Sequence, residues 1–136
     1  MLKAEDWQRY SAKLDLQIPA TVHDVEACER ALELVLPLEY KEFLRKTNGA
    51  EGIVGEHSYA TFWRVSELAK FNEAYQVQRY APGYLLFGSD GGGEAFAFDI
   101  TKNMTIFTLP FVGMSRDVAD GQGTTFWQFL EELWHQ

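Results

Sequence analysis

The run Leu85-Leu86-Phe87-Gly88-Ser89-Asp90-Gly91-Gly92-Gly93-Glu94-Ala95-Phe96-Ala97-Phe98-Asp99 sets an apolar strand, a glycine hinge and an alternating second strand end to end. Three successive glycines relax the φ constraint where a chain reverses, and Phe96, Phe98 and Ile100 then fall on one face at period two. The segment therefore reads as a β-turn-β unit whose apex carries two acids, Asp90 and Glu94. An acidic glycine apex imitates a phosphate cradle or a calcium loop, but the first needs lysine and a following helix, and the second needs alternating aspartates with a distal glutamate. Neither pattern is present, which leaves a solvent-facing hairpin tip or bulge.

Helical signals precede it. Thr21 and Asp24 have the three-residue spacing of a capping box, and Val25, Cys28, Leu32 and Val35 recur behind them as one apolar stripe. Leu36-Pro37 ends that helix and opens the next, where proline's missing amide costs nothing. Tyr40, Phe43, Leu44 and Thr47 continue as a stripe until Asn48-Gly49 closes it. Residues 4 to 14 form a weaker short helix. Ala50 to Ser58 reads as a polar, glycine-spaced loop, Tyr59 to Trp63 as a strand, and Ser66 as the cap of a helix reaching about Gln78 before Ala81-Pro82-Gly83. Thr101-Lys102-Asn103 turns into a strand over Met104 to Leu109. Phe111 to Gly123 reads as loop, and Thr124 or Thr125 caps a last helix with Phe126, Phe129, Leu130 and Leu133 buried and Trp127 and Trp134 beside them. Helices first, sequential strands in the middle and a closing helix predict an α+β fold, an antiparallel meander packed against helices in two layers.

The 136 residues form one domain, residues 1–136, by the usual size prior. Twenty acids against twelve bases leave a formal charge of −8, which argues against a direct nucleic-acid or anionic-membrane partner and favours a basic protein. The single cysteine, Cys28, has no mate for a disulfide, and its place on an apolar helix side makes it a small buried hydrophobe. No apolar run is long enough to span a membrane. A cytoplasmic protein is the expectation.

Catalytic and metal signatures are missing. His23, His57 and His135 lack the spacing that puts ligands on one ion, so no metal and no cofactor are expected. Trp63, Phe126 and Trp127 fit core positions better than a binding groove. An enzyme would need His57 within reach of Asp90 or Glu94. What remains is surface charge: Glu51, Glu56, Asp90, Glu94, Asp117 and Asp120 lie in loops or at the hairpin tip, where recognition usually resides, and are the candidate partner-binding residues.

Several pieces in order resemble the SUKH superfamily of Smi/Knr-type domains. They are Glu26 and Glu29 on the first helix; Leu36-Pro37 followed by Glu39-Tyr40-Lys41-Glu42-Phe43-Leu44; Asn48-Gly49; Trp63 with Glu67-Leu68 and Asn72; Phe87-Gly88 and Gly91-Gly92-Gly93-Glu94 ahead of Phe98-Asp99; and Phe126-Trp127-Gln128-Phe129-Leu130. Together they span about residues 21–133. The resemblance implies a non-enzymatic α+β domain, in its bacterial immunity-protein branch a binder that neutralises a cognate toxin, often a nuclease with a basic cleft, stoichiometrically. The competing implication is a regulatory or scaffolding module for an endogenous protein or peptide. Leu36, Pro37, Tyr40, Phe43 and Trp63 belong to the shared pattern and are expected to be structural.

Overall fold

The computed structural model describes residues 2–123 and 125–136. Its helices are α1 (Ala4–Ser11), α2 (Val22–Leu32), α3 (Leu38–Leu44), α4 (Leu68–Ala74), α5 (Val77–Tyr80) and α6 (Phe126–His135). Its strands are β1 (Lys13–Leu16), β2 (Ala50–Val54), β3 (Ser58–Phe62), β4 (Tyr84–Ser89), β5 (Glu94–Asp99), β6 (Thr105–Pro110) and β7 (Asp120–Gly123). The seven strands form one sheet in sequence order, every neighbour antiparallel, so the fold is the expected α+β meander with helices packed on it.

Aromatic side chains join the layers. Tyr40 and Phe43 from α3 and Phe126 and Phe129 from α6 meet Phe62, Phe87, Phe96 and Phe98 from the sheet, all of them buried. Phe87 stacks on Phe98 at 4.3 Å, Phe43 meets Phe126 at 4.9 Å, and Phe96 sits edge-on to Phe129 at 4.9 Å. Phe87 reaches this cluster because a bulge makes it the unpaired residue between Leu86, opposite Ala97, and Gly88, opposite Phe96. Gly88 has its own reason to be glycine: a Cβ there would lie 2.3 Å from the carbonyl oxygen of Thr61 on β3. At the tip, Gly91 is the glycine the geometry demands, with φ +80° and the Tyr59 ring where a Cβ would be, whereas Gly93 faces open space.

The edge of β4 needs a second device. β3 pairs with β4 only through Thr61 and Phe62 and then peels away, which would leave the backbone of Leu86 unpaired inside the protein. Asn72 on α4 substitutes for a strand: its Oδ1 accepts the Leu86 N–H at 2.8 Å and its Nδ2 donates to the Leu86 carbonyl at 2.9 Å. On the far side of the sheet the segment from Phe111 to Ala119 is held by Arg116. The guanidinium donates to the fully buried Asp99 carboxylate at 2.9 Å and to the Pro82 carbonyl at 2.9 Å, and lies over the Tyr84 ring.

Several sequence expectations need correcting. α2 stops at Leu32, before Pro37, because Glu33 turns left-handed (φ 56°) and its N–H folds back to Arg30 and Glu29; Val35 is then 70% exposed and outside the apolar stripe. Pro37 takes the N-cap position of α3. Ser66 lies inside a 3₁₀ turn, Val65–Glu67, whose entry is fixed by the Arg64 N–H donating to Glu67, and the helix beyond it breaks at Gln76 (φ 53°) into α4 and α5. The expected loops contain β2 and β7, and the stretch over 4 to 14 is α1 followed by the start of β1. Ile100 opens a 3₁₀ turn and is 38% exposed, off the face that Phe96 and Phe98 share. Thr125 caps α6 by accepting the Gln128 N–H; Thr124, the other candidate, lies outside the described residues. The capping box of Thr21 and Asp24, the burial of Tyr40, Phe43, Leu44 and Thr47, and the hairpin itself stand as expected.

Two outcomes follow from the edge and the latch. Asn72→Ala leaves a buried donor and acceptor without partners and lowers stability by about 2–4 kcal/mol in urea titrations, more than truncation of an exposed α4 residue such as Lys70→Ala. Burial pushes the Asp99 carboxyl up, but hydrogen bonds from Thr101 and Arg116 outweigh it and hold the group below the usual aspartate range. Its stabilising contribution is therefore present above the ordinary aspartate value and lost as pH falls through the depressed one. Arg116→Ala should flatten that acid limb of the stability curve as well as lower the plateau.

Candidate functional site

The acids are brought together by strand register. Phe96 on β5 pairs with Thr108 on β6, and Thr108 pairs with Asp120 on β7, so Glu94 at the head of β5 and Asp120 at the head of β7 lie at the same end of one sheet face. Asp90 joins them from the tip, where its carboxylate accepts the N–H groups of Gly92 and Glu94 at 2.8 and 3.2 Å. These three acids line a hollow of about 620 Å³ beside α6 whose walls also include Tyr59, Phe96 and Phe129. Leu133, Thr108 and Gln122 line it as well. The floor is apolar and the rim is anionic.

Among the described residues no lysine or arginine lines the hollow. Burial, and then the carboxylates of Asp90 and Asp120, push the Glu94 carboxyl above the usual glutamate range. No ion pair reaches Asp90, Glu94 or Asp120 among the described residues; the Gln122 amide donates to the Asp120 carboxylate at 3.3 Å. The Tyr59 hydroxyl donates to Glu51, which raises the proton affinity of the exposed phenol; Glu51 itself lines a different hollow, with Gln17, Thr61 and Arg64. Glu56 is exposed and contacts the His57 ring at 3.8 Å. Asp117 stands apart, in the 3₁₀ turn next to Arg116.

His57 lines the hollow together with Asp90 and Glu94, the other two groups of the catalytic alternative. The ring is 76% exposed and its ion-pair contact is with Glu56, outside that trio. Among the described residues no group of three or more His, Cys, Asp or Glu side chains is placed to hold a metal ion. Cys28 is buried, and burial pushes its thiol up to about 11, far from thiolate reactivity at neutral pH. Trp63, Phe126 and Trp127 are core residues, as the sequence implied. Among the described residues no helix is long and apolar enough to cross a membrane.

A slightly larger hollow, about 660 Å³, lies between the end of α2 and the α4–α5 break, with Leu85 and Ile100 at its base. Its walls mix Glu33 and Glu73 with Arg79, so it carries no single-sign field, and none of the six candidate acids lines it. Sequence reasoning named the acids of the first hollow but missed Tyr59, Thr108 and Gln122 as its walls. The alternation of Tyr59 with Ala60 was a readable signal for the first, and Thr108 lies in the expected strand; Gln122 depends on β7, which leaves no apolar pattern.

The raised Glu94 carboxyl has a signed consequence. The folded chain holds that proton more tightly than the unfolded chain, so stability declines as pH rises from the ordinary glutamate value through the raised one. Glu94→Gln should be more stable than the parent at neutral pH, and the difference should vanish in acid below the ordinary glutamate range. Denaturant titrations across pH, with carbon-detected NMR titration of the Glu94 carboxyl, check both.

The comparison with curated proteins returned no match. The profile of one family does match, over residues 19–132, a span that takes in α2 through most of α6 and the three acids of the hollow. On that match, covering most of its length, the chain belongs to the SMI1 / KNR4 family (SUKH-1).

Proposed function

We propose that this chain is an immunity protein, which neutralises a cognate toxin by binding it stoichiometrically and catalyses nothing itself. The observation that carries the reading is the hollow in which Asp90, Glu94 and Asp120 converge over Phe96, Phe129 and Leu133 without a cation of their own. Like charges held together in a half-buried site cost free energy in the isolated protein, and a cationic partner removes that cost. Lysine and arginine suit such a site because the aliphatic stem lies on apolar surface while the charged head meets carboxylate. Family membership and the net charge of −8 point the same way, since a nuclease toxin presents a basic cleft. Glu51, bonded to the Tyr59 hydroxyl, and Glu56, beside His57, add to the field that steers such a partner; Asp117 acts only at longer range. The partner would be a basic toxin domain, with no nucleic acid or membrane contacted directly, and the site of action the cytoplasm.

The test uses the protein encoded by the adjacent reading frame. Binding to that protein by calorimetry, together with rescue of cells expressing it, is expected for the unaltered chain. Asp90→Lys, Glu94→Lys and Asp120→Lys combined should weaken binding by about 100-fold or more, whereas Asp117→Lys should change it by only a few-fold. Equal neutralisation by the triple variant would refute the hollow as the contact surface. Capture of an endogenous partner from lysate, with no toxin present and no protection from the neighbouring gene product, would establish the regulatory-module reading in its place.

A further inference from the structure

The sheet ends at β1, which has β2 on one side and no strand on the other. An unpaired edge is a row of free donors and acceptors, and the side chains it carries decide what pairs with it. In β1, Leu14 and Leu16 share the helix-covered face through their partners Gly52 and Ala50, while Lys13 and Asp15 share the other face. Leu14 is buried, Leu16 is 43% exposed, and Lys13 and Asp15 are both exposed. Neither charge enters an ion pair among the described residues.

We infer that β1 pairs antiparallel with β1 of a second copy of this chain, about a two-fold axis through Leu14, to extend the sheet across two molecules. Antiparallel partners must lie on the same face, so a symmetric pairing keeps residues of equal parity opposite each other. An axis through Lys13 sets the two Lys13 ammonium groups opposite each other, and an axis through Asp15 does the same with two carboxylates; like charges directly opposite are unfavourable. The axis through Leu14 instead places Lys13 of each copy opposite Asp15 of the other, twice, and Leu14 against Leu14. Of the axes through Lys13, Leu14 and Asp15, the one through Leu14 alone sets opposite charges against each other. β1 precedes the segment that matches the family, so the surface is formed by residues outside that match.

Sedimentation velocity of the full chain over a range of concentrations tests this. The unaltered protein should show a monomer–dimer equilibrium. Lys13→Asp and Asp15→Lys should each weaken the dimer by about ten-fold or more, because both cross-strand pairs become repulsive, and the double exchange K13D/D15K should restore it. Circular dichroism should be unchanged throughout, since both side chains are exposed. A protein that stays monomeric, a dimer indifferent to the single reversals, or a double exchange no stronger than the singles would each overturn the pairing.

Discussion

Everything in this molecule is organised by the contact between α3, α6 and one face of the central strands. A sheet strand cannot be stable with one apolar face in water, and here that face is covered by rings rather than aliphatic side chains: Tyr40, Phe43, Phe126 and Phe129 against Phe62, Phe87, Phe96 and Phe98. Large rings fill the space between layers with few side chains, which lets α3 be only seven residues long. The ladders from β3 to β4 to β5 then bring the hairpin tip against Tyr59. The hollow beside α6 exists because this packing stops at Phe96 and Phe129, short of the strand ends.

The other elements are then fastened to that centre by single polar groups. Asn72 completes the β4 edge, Arg116 holds the crossing segment to Asp99, and Glu131 on α6 receives both Arg9 and the Tyr10 hydroxyl from α1, with Arg9 lying between the Tyr10 and Trp134 rings. In each case a side chain supplies hydrogen bonds where regular secondary structure runs out. Asn72 is informative because it also belongs to the family pattern: its place there follows from the need to satisfy a buried strand backbone on both its donor and its acceptor.

What was legible in the sequence followed from local chemistry. The Thr21–Asp24 box, the Tyr40–Phe43–Leu44 stripe and the alternating Phe96 and Phe98 each carry their own signal within a turn or two. The strands that went unread, Lys13–Leu16, Ala50–Val54 and Asp120–Gly123, are short, charged or glycine-bearing, and are strands only because a neighbour offers its edge. Gly52 is the clearest case. It breaks the apolar alternation of β2, yet its lack of a side chain is what admits β1, since a Cβ would meet the Lys13 carbonyl at 2.3 Å. The boundary at Pro37 was misplaced for a related reason: the non-glycine left-handed residue Glu33 ends α2 without announcing it.

The candidate site shows the same division between what is local and what is not. Asp90 and Glu94 are neighbours in any hairpin of that sequence, but Asp120 reaches them only through the ladders from β5 to β6 to β7, and no composition or spacing encodes that. Six scattered acids become three that share a hollow and three that do not line it. The surface charge of an acidic chain is ordinarily spread to keep it solvated, and spreading lowers self-repulsion. Here register and burial work against that tendency at one place, raising the proton affinity of Glu94, and this local departure from an even distribution gives the hollow its claim to a cationic partner.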